Sequence, residues 1–247
     1  LYGEVSIDVM DTLRKFGDKF EQVSIDEAFL DVSQSCLRYG GPIELAKRIK
    51  SELKQSEGLT CSIGIAPNKS VAKIASDFQK PDGLTYVDPA HVTEFLAPLP
   101  VSKISGIGKK TEHRLNQLGI KTIGELAKYP PKELYEQFDR SAVWLWAIAN
   151  AQEQVEVQET YTMKSIGAEY TFEKDTDNWS EVNNQLLSLI ESVYKRLQDE
   201  NMTFRTVTLK IRFKGFETYT RSRSLRFSSK NKSVITETIE SLLKEFR

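Results

Sequence analysis

The sequence predicts an α+β protein in three segments, with strands and helices mixed at both ends and helices alone in the middle. Three observations carry this. Two strand-like runs, Gln22 to Ile25 and Ala28 to Val32, flank the acidic pair Asp26 and Glu27. Residues 88–153 hold short apolar helical stretches cut by Pro98, Pro100, Gly106, Gly108, Gly119, Pro130 and Pro131. The last third runs strand, helix, strand, strand, helix.

Each element follows from its pattern. Val5, Val9, Leu13, Phe16 and Phe20 recur at spacings of three and four, the mark of one apolar helix face. After the two strands the pattern predicts a helix from Ile43 to about Gln55, a strand over Thr60 to Ile65, and a helix over Lys69 to Phe78. Asn68 is its N-cap. Pro81, Asp82 and Gly83 make a turn into a short strand, Leu84 to Val87. In the middle segment Trp144 and Trp146 belong to the core. The polar run Ala151 to Thr162 has the composition of an exposed linker. Then come a strand over Ser165 to Phe172, a helix carrying Val182, Leu186, Leu189, Ile190, Val193 and Leu197, and strands over Thr203 to Phe213 and Thr218 to Phe227. The last helix presents Ile235, Ile239, Leu242, Leu243 and Phe246. This order is a ferredoxin-like β-α-β-β-α(-β) motif short of its last strand. A chain opening on Leu1 with a helix already under way, and stopping where a strand is due, is expected to continue at both ends in a longer protein.

The 247 residues carry a formal charge of −1, which at face value argues against a nucleic-acid partner. The average hides a gradient. Residues 1–100 sum to −4, 101–159 to zero and 160–247 to +3. Within the last part, residues 202–234 hold nine basic side chains against Glu217 alone, a polyanion footprint. No apolar run approaches the ~20 residues that span a bilayer, so no membrane partner is expected. Cys36 and Cys61 stand apart from any Cys-x-x-Cys pair, which fits a reducing compartment, the cytoplasm, and not a zinc site.

Three motifs could carry chemistry. Asp26 and Glu27, set between apolar strand runs, can converge on one divalent cation. Such a pair suits phosphoryl transfer, although a bare Asp-Glu pair is more often a solvated turn. Lys69, Lys73 and Lys80 flank a helix whose apolar face is Val71, Ile74 and Phe78, and Lys80 in the exit turn is placed to meet a triphosphate. Gly106, Ile107, Gly108 and Lys109 open a helix, so backbone amides and the positive helix end can hold a phosphate. This is the pattern of a helix-hairpin-helix, which grips a duplex backbone without reading sequence.

In this order and spacing, the runs SIDEAFLDVS, CSIGIAPNKSVAKIASDFQKPDG, ISGIGKKTEHRLNQLGI and KSIGAEYTF resemble the Y family of translesion DNA polymerases, most closely its DNA polymerase IV branch. The resemblance covers nearly the whole chain. It implies the C-terminal part of a palm with an antiparallel sheet (1–87), a thumb with a helix-hairpin-helix (88–153), a linker (154–163) and a little finger (164–247). It implies Asp26 and Glu27 as ligands of two Mg²⁺ ions and catalytic residues, Lys80 as the triphosphate contact, and primer–template DNA and deoxynucleoside triphosphates as partners. Lys73, Gly106, Ile107, Gly108, Lys109, Ser165, Arg221, Arg223 and Arg226 become DNA contacts, the three arginines being expected on one face of their strand. Contact with a sliding clamp is implied only through a tail outside these residues. The family's first metal-binding aspartate sits in an Asp-x-Asp strand. Asp8 and Asp11, spaced Asp-x-x-Asp on a helix, do not supply it. The resemblance implies a parent protein that carries out template-directed nucleotidyl transfer with two metals in distributive lesion bypass, whereas these residues alone are expected to extend no primer, or to act as a non-catalytic DNA-binding piece. A palm-type nucleotidyl cyclase fits less well, having no use for a helix-hairpin-helix or a basic domain.

Overall fold

The computed structural model describes residues 1–159 and 163–246. The chain forms two compact units, Leu1–Tyr161 and Thr162–Arg247.

In the first unit, α1 (Tyr2–Arg14) buries Met10 together with Ser6 and Thr12. The apolar spacing expected to carry this helix to Phe20 breaks earlier. The Asp18 amide donates to the Asp31 carbonyl at 2.7 Å and turns the chain into a strand, so Phe20 lies on β1 (Lys19–Gln22). β1 pairs antiparallel with β2 (Ala28–Asp31), Lys19 opposite Asp31 and Gln22 opposite Ala28. The first strand therefore lies three residues earlier than its expected Gln22 to Ile25. The amides of Val23 and Ser24 both donate to the Glu27 carbonyl (2.9 and 3.2 Å), closing a loop that leaves Val23 and Ile25 exposed. Apolar character predicted a strand there, and local loop hydrogen bonds override it.

Helix α2 (Pro42–Ser56) lays Leu45, Ile49 and Leu53 on Phe16, with Leu13, Leu30 and Ile63 at the edge of the cluster. β3 (Ile63–Ile65), α3 (Lys69–Phe78) and β4 (Leu84–Tyr86) follow, with β3 and β4 paired in parallel. The strand starts at Ile63 and not at Thr60. Asn68 caps α3 as expected, its Oδ1 accepting the Val71 amide at 2.9 Å. The helix presses so closely on β3 that a Cβ built on Gly64 would lie 2.1 Å from the Ala72 carbonyl oxygen and 2.3 Å from the Ser76 amide. Val71, Ile74 and Ala75 are buried, whereas Phe78, expected on that face, is exposed and meets Phe95 edge-on at 5.3 Å.

Among the described residues, five α-helices follow: α4 (Val92–Leu96), α5 (Lys109–Gln117), α6 (Ile123–Lys128), α7 (Pro131–Phe138) and α8 (Ser141–Ala149). Thr122 and Glu125 form a reciprocal capping box at α6. Their core is continuous with Val71, Ile74 and Val87, and includes Leu96, Ile104, Leu115, Ile123, Leu126, Leu134, Leu145 and Ile148. Helix α8 is apolar on all sides, so one face must remain outside. Trp146 packs on the core, but Trp144 keeps 36% of its surface exposed. Beyond α8 the polar run stays tied to this unit. Asn68 donates to the Ala151 carbonyl (3.2 Å), Glu153 accepts the Ser70 amide (3.1 Å), Glu156 pairs with Lys19 (2.8 Å) and the Gln158 amide donates to Glu21 (2.7 Å). Residues 160–162 of the expected linker lie outside the described residues.

The second unit holds α9 (Trp179–Asp199), the antiparallel strands β5 (Phe204–Arg212) and β6 (Thr218–Ser229), and α10 (Lys232–Leu243). Ile190, Val207, Leu209, Ile235, Ile239, Leu242 and Leu243 form its core. The strand expected over 165–172 is not in a ladder among the described residues. Its alternation survives, with Ile166, Ala168 and Phe172 half-buried, but side chains hold the segment: Arg196 donates to the Gly167 carbonyl and Lys210 pairs with Glu169.

Candidate functional site

The hairpin of β1 and β2 presents Asp26 at its loop and Glu27 where the loop rejoins β2. Ser24 Oγ donates to Asp26 Oδ1 at 2.5 Å and accepts the Asp26 amide at 3.3 Å, which fixes the loop's shape from within. Helix α3 runs beside it and supplies the counter-charge. Lys69 Nζ lies 2.6 and 2.8 Å from the two carboxylate oxygens of Glu21 and 5.1 Å from the Phe29 ring centre. One turn on, Lys73 Nζ is 2.5 Å from Glu27 and 3.4 Å from Asp77. Lys80 Nζ is 2.5 Å from the other oxygen of Asp77.

The three lysines thus do not project into solvent as independent charges. Lys73, expected to reach DNA, faces the carboxylate hairpin, and Lys80, expected free for a triphosphate, is paired with Asp77. Partial burial works against the charged forms of Lys73 and Asp77, yet their ion pairs outweigh it. The Lys73 ammonium is held above its ordinary value by Glu27 and Asp77, and the Asp77 carboxyl below its own by Lys80 and Lys73. Glu21 is likewise held low against burial, by Lys69 and the Gln158 amide.

Two adjacent carboxylates are hard oxygen donors of the kind Mg²⁺ accepts, since that ion takes one or two carboxylates and completes its shell with water and phosphate oxygens. The Lys73 ammonium already sits where a cation would meet Glu27. The donor set therefore fits a divalent ion. Among the described residues no group of three or more His, Cys, Asp or Glu forms a fuller cage.

The glycine-rich turn before α5 takes the form its sequence predicts. Gly106 has φ +98°, a left-handed conformation that side-chain-bearing residues avoid, and its open side faces the Trp144 ring. Ile104 and Ile107 are buried and anchor the turn. Gly108 is the N-cap of α5, with no atom within 4 Å of where a Cβ would stand. Gly108 and Lys109 are exposed, and the first-turn amides of α5 have no acceptor inside the helix. A phosphate can approach this end of the helix to backbone distance.

In the second unit the expected single face of Arg221, Arg223 and Arg226 does not form. Arg221 stands opposite Leu209 and Arg223 opposite Val207, so both share the side of the sheet that packs on the helices. Arg221 Nε donates to Glu245 at 3.0 Å with its guanidinium 5.2 Å from the Phe246 ring centre, and Arg223 donates to Ser241 Oγ at 3.1 Å. Arg226 falls in the irregular stretch where the register shifts between Ser224 and Ser229, stacked 5.3 Å from the Phe227 ring centre. An even position cannot share a regular strand face with two odd ones. The face away from the helices is instead lined by Thr206, Thr208, Lys210 and Arg212 opposite Ser224, Ser222, Thr220 and Thr218, all exposed. Its signal was present in the sequence as hydroxyl residues at every second position from 218 to 224. Ser165 is exposed and outside any helix.

Carboxylates for a divalent ion, ammonium groups for phosphate and a backbone hairpin for a duplex belong together in the nucleotidyltransferases that act on DNA. The sequence matches the impB/mucB/samB family over residues 1–77, the IMS family HHH motif over 89–120 and the impB/mucB/samB family C-terminal domain over 163–247. It is 44% identical over 246 residues to DNA polymerase IV 2 of Methanosarcina mazei, covering 100% of this chain and 67% of that protein. To DNA polymerase IV of Methanoculleus marisnigri it is 48% identical over 229 residues, covering 92% and 63%. The chain therefore spans about two thirds of the length of these relatives. Among solved structures, the Y-family DNA polymerase chimera Dbh-Dpo4(243-245)-Dbh superposes with a TM-score of 0.87 at 29% identity, over 99% of this chain and 71% of that one. The post-insertion binary complex of Dbh DNA polymerase gives 0.66 at 29%, over 99% and 72%. The chain belongs to the Y family of DNA polymerases, in its DNA polymerase IV branch.

Proposed function

We propose that this chain carries part of the catalytic centre and most of the DNA grip of a translesion DNA polymerase. Residues 1–87 serve as palm, 88–153 as thumb and 164–247 as little finger. The observation that carries the reading is the open carboxylate hairpin, Asp26 and Glu27, set against the lysine-bearing face of α3. Mg²⁺ bound there supplies charge stabilisation to an attacking primer oxygen and to a leaving pyrophosphate. The protein's own part is positional. Asp26 and Glu27 hold the ion on a loop fixed by Ser24, Lys80 meets the triphosphate of an incoming deoxynucleotide as a point charge, and preorganised charges lower the barrier. Gly106, Ile107, Gly108 and Lys109 hold a duplex phosphate through backbone amides. The outer sheet face with Lys210 and Arg212, together with Ser165 and Arg226, follows the template backbone, and Arg221 and Arg223 brace the sheet from its helix side. A polymerase of this kind acts on chromosomal DNA in the cytoplasm, and no helix among the described residues is long and apolar enough to cross a membrane.

The test separates binding from chemistry. Residues 1–247 are expected to bind primer–template DNA with an affinity that falls steeply with salt, and to extend no primer, because two carboxylates leave the metal cage incomplete. Absence of salt-sensitive binding would refute the DNA reading, and robust extension would refute the incomplete centre.

A further inference from the structure

Glu27, Lys73, Asp77 and Lys80 form a line of alternating charge, joined at 2.5, 3.4 and 2.5 Å. It begins at a candidate metal ligand and ends at the candidate triphosphate contact. Asp77 is the unexpected member. It sits in the last turn of α3, where the negative end of the helix disfavours a carboxylate, and it is neither at the hairpin nor exposed enough to be a mere solvated charge. A residue that breaks a local rule needs a compensating role, and its two oxygens are divided between two lysines, Oδ2 toward Lys73 and Oδ1 toward Lys80.

We propose that Asp77 and Lys73 form a counter-ion relay that couples cation binding at Glu27 to the release of Lys80 for phosphate. The inference rests on the metal-site reading of Asp26 and Glu27. The four side chains sum to zero charge, so the arrangement is self-satisfied without ligands. A divalent ion at Glu27 cannot share that carboxylate closely with the Lys73 ammonium, because like charges at such distances repel strongly in a partly desolvated site. Lys73 need travel only from 2.5 Å at Glu27 to an acceptor already 3.4 Å away. Once there it neutralises Asp77, whose hold on Lys80 weakens. The exposed Lys80 in the exit turn then turns to the incoming polyanion, which balances the added positive charge. Lys73 and Asp77 are positioning residues in this scheme, and neither touches the reacting atoms.

The experiment uses the whole chain, labelled with ¹⁵N, and Mn²⁺ as probe, read by paramagnetic broadening of amides 24–28 and by the dissociation constant of the titration. Lys73→Met, which removes the competing ammonium at nearly constant volume, is expected to tighten Mn²⁺ binding by about threefold or more. Asp77→Asn is expected to weaken it, and that weakening should vanish in the Lys73→Met background, because without Lys73 there is nothing to hand over. In metal-free solution Asp77→Asn should tighten the binding of inorganic tripolyphosphate, and Lys80→Gln should undo that gain. Mn²⁺ binding unchanged or weaker in Lys73→Met would overturn the relay, as would an Asp77→Asn effect of equal size in both backgrounds, the signature of simple through-space charge. Tripolyphosphate binding unaffected by Asp77→Asn would overturn the coupling to Lys80. If Glu27→Gln leaves the broadening in place, the metal-site reading itself fails, a result distinct from those three.

Discussion

Gly64 shows how one residue sets the geometry of the site. Because it has no side chain, α3 lies directly on β3, and this closeness brings Lys69 and Lys73 within reach of the carboxylate hairpin. Gly64→Ala forces its new methyl into backbone atoms of Ala72 and Ser76 that cannot yield as a flexible side chain would. Overpacking against backbone is expected to cost about 2–3 kcal/mol, read as a lower urea midpoint with an unchanged slope. The ion pairs along α3 make a second prediction. Glu21 and Asp77 have folded pKa values below their ordinary ones. Unfolded chains bind those protons more readily, so the stabilisation is complete above the ordinary carboxylate range and is lost as pH falls through it toward the depressed values. The urea midpoint is expected to drop between about pH 5 and pH 3, with a shallower drop in Lys69→Met, where Glu21 has lost its partner.

At the scale of elements, the last strand pair has two unlike faces. Arg221 is tied to Glu245, just past α10, and Arg223 to Ser241 on it, whereas Thr206, Thr208, Thr220 and Ser222 line an open face. Hydroxyls donate hydrogen bonds to phosphate without displacing a counterion, and Lys or Arg displaces about one for each phosphate it neutralises. Thr220→Val with Ser222→Ala is therefore expected to weaken primer–template binding severalfold at every salt concentration while leaving the salt slope unchanged. Lys210→Ala with Arg212→Ala should flatten the slope by about one to two. Parallel binding isotherms over a salt series read both. The elements also show which sequence signals were sufficient. Asn68, the glycine turn at 106–108 and the helix over Lys69 to Phe78 are local devices, a cap, a left-handed turn and a 3.6-residue period, and all were legible. The ends of β1 were not, because the hydrogen bonds that close the 23–27 loop outweigh the apolar character of Val23 and Ile25.

At the scale of the molecule, two compact units predict two unfolding events. In the first unit one apolar cluster runs from α3 and Val87 through α8, beside the Phe16 cluster under α2, so its α+β and all-helical segments are expected to melt together. The second unit has its own core of α9, α10 and the β5–β6 sheet. Calorimetry should resolve two transitions, and duplex DNA should raise the temperature of both. A single transition at all DNA concentrations would contradict independent units.

By itself the sequence determined the α+β class, the order of the helices and most strands, the acidic pair at the hairpin, the glycine-rich turn before α5 and the basic last third. Each is written in local spacing, in residue type or in summed charge. Only the tertiary structure decided who pairs with whom. It turned Lys73 to Glu27 and Lys80 to Asp77, sent Arg221 and Arg223 to the helix side of their sheet, left Phe78 and much of Trp144 exposed, and held residues 165–172 by side chains and not by a ladder. Pairing depends on distance between residues far apart in the chain, and the period of a helix or strand gives direction along one element but not what waits across from it.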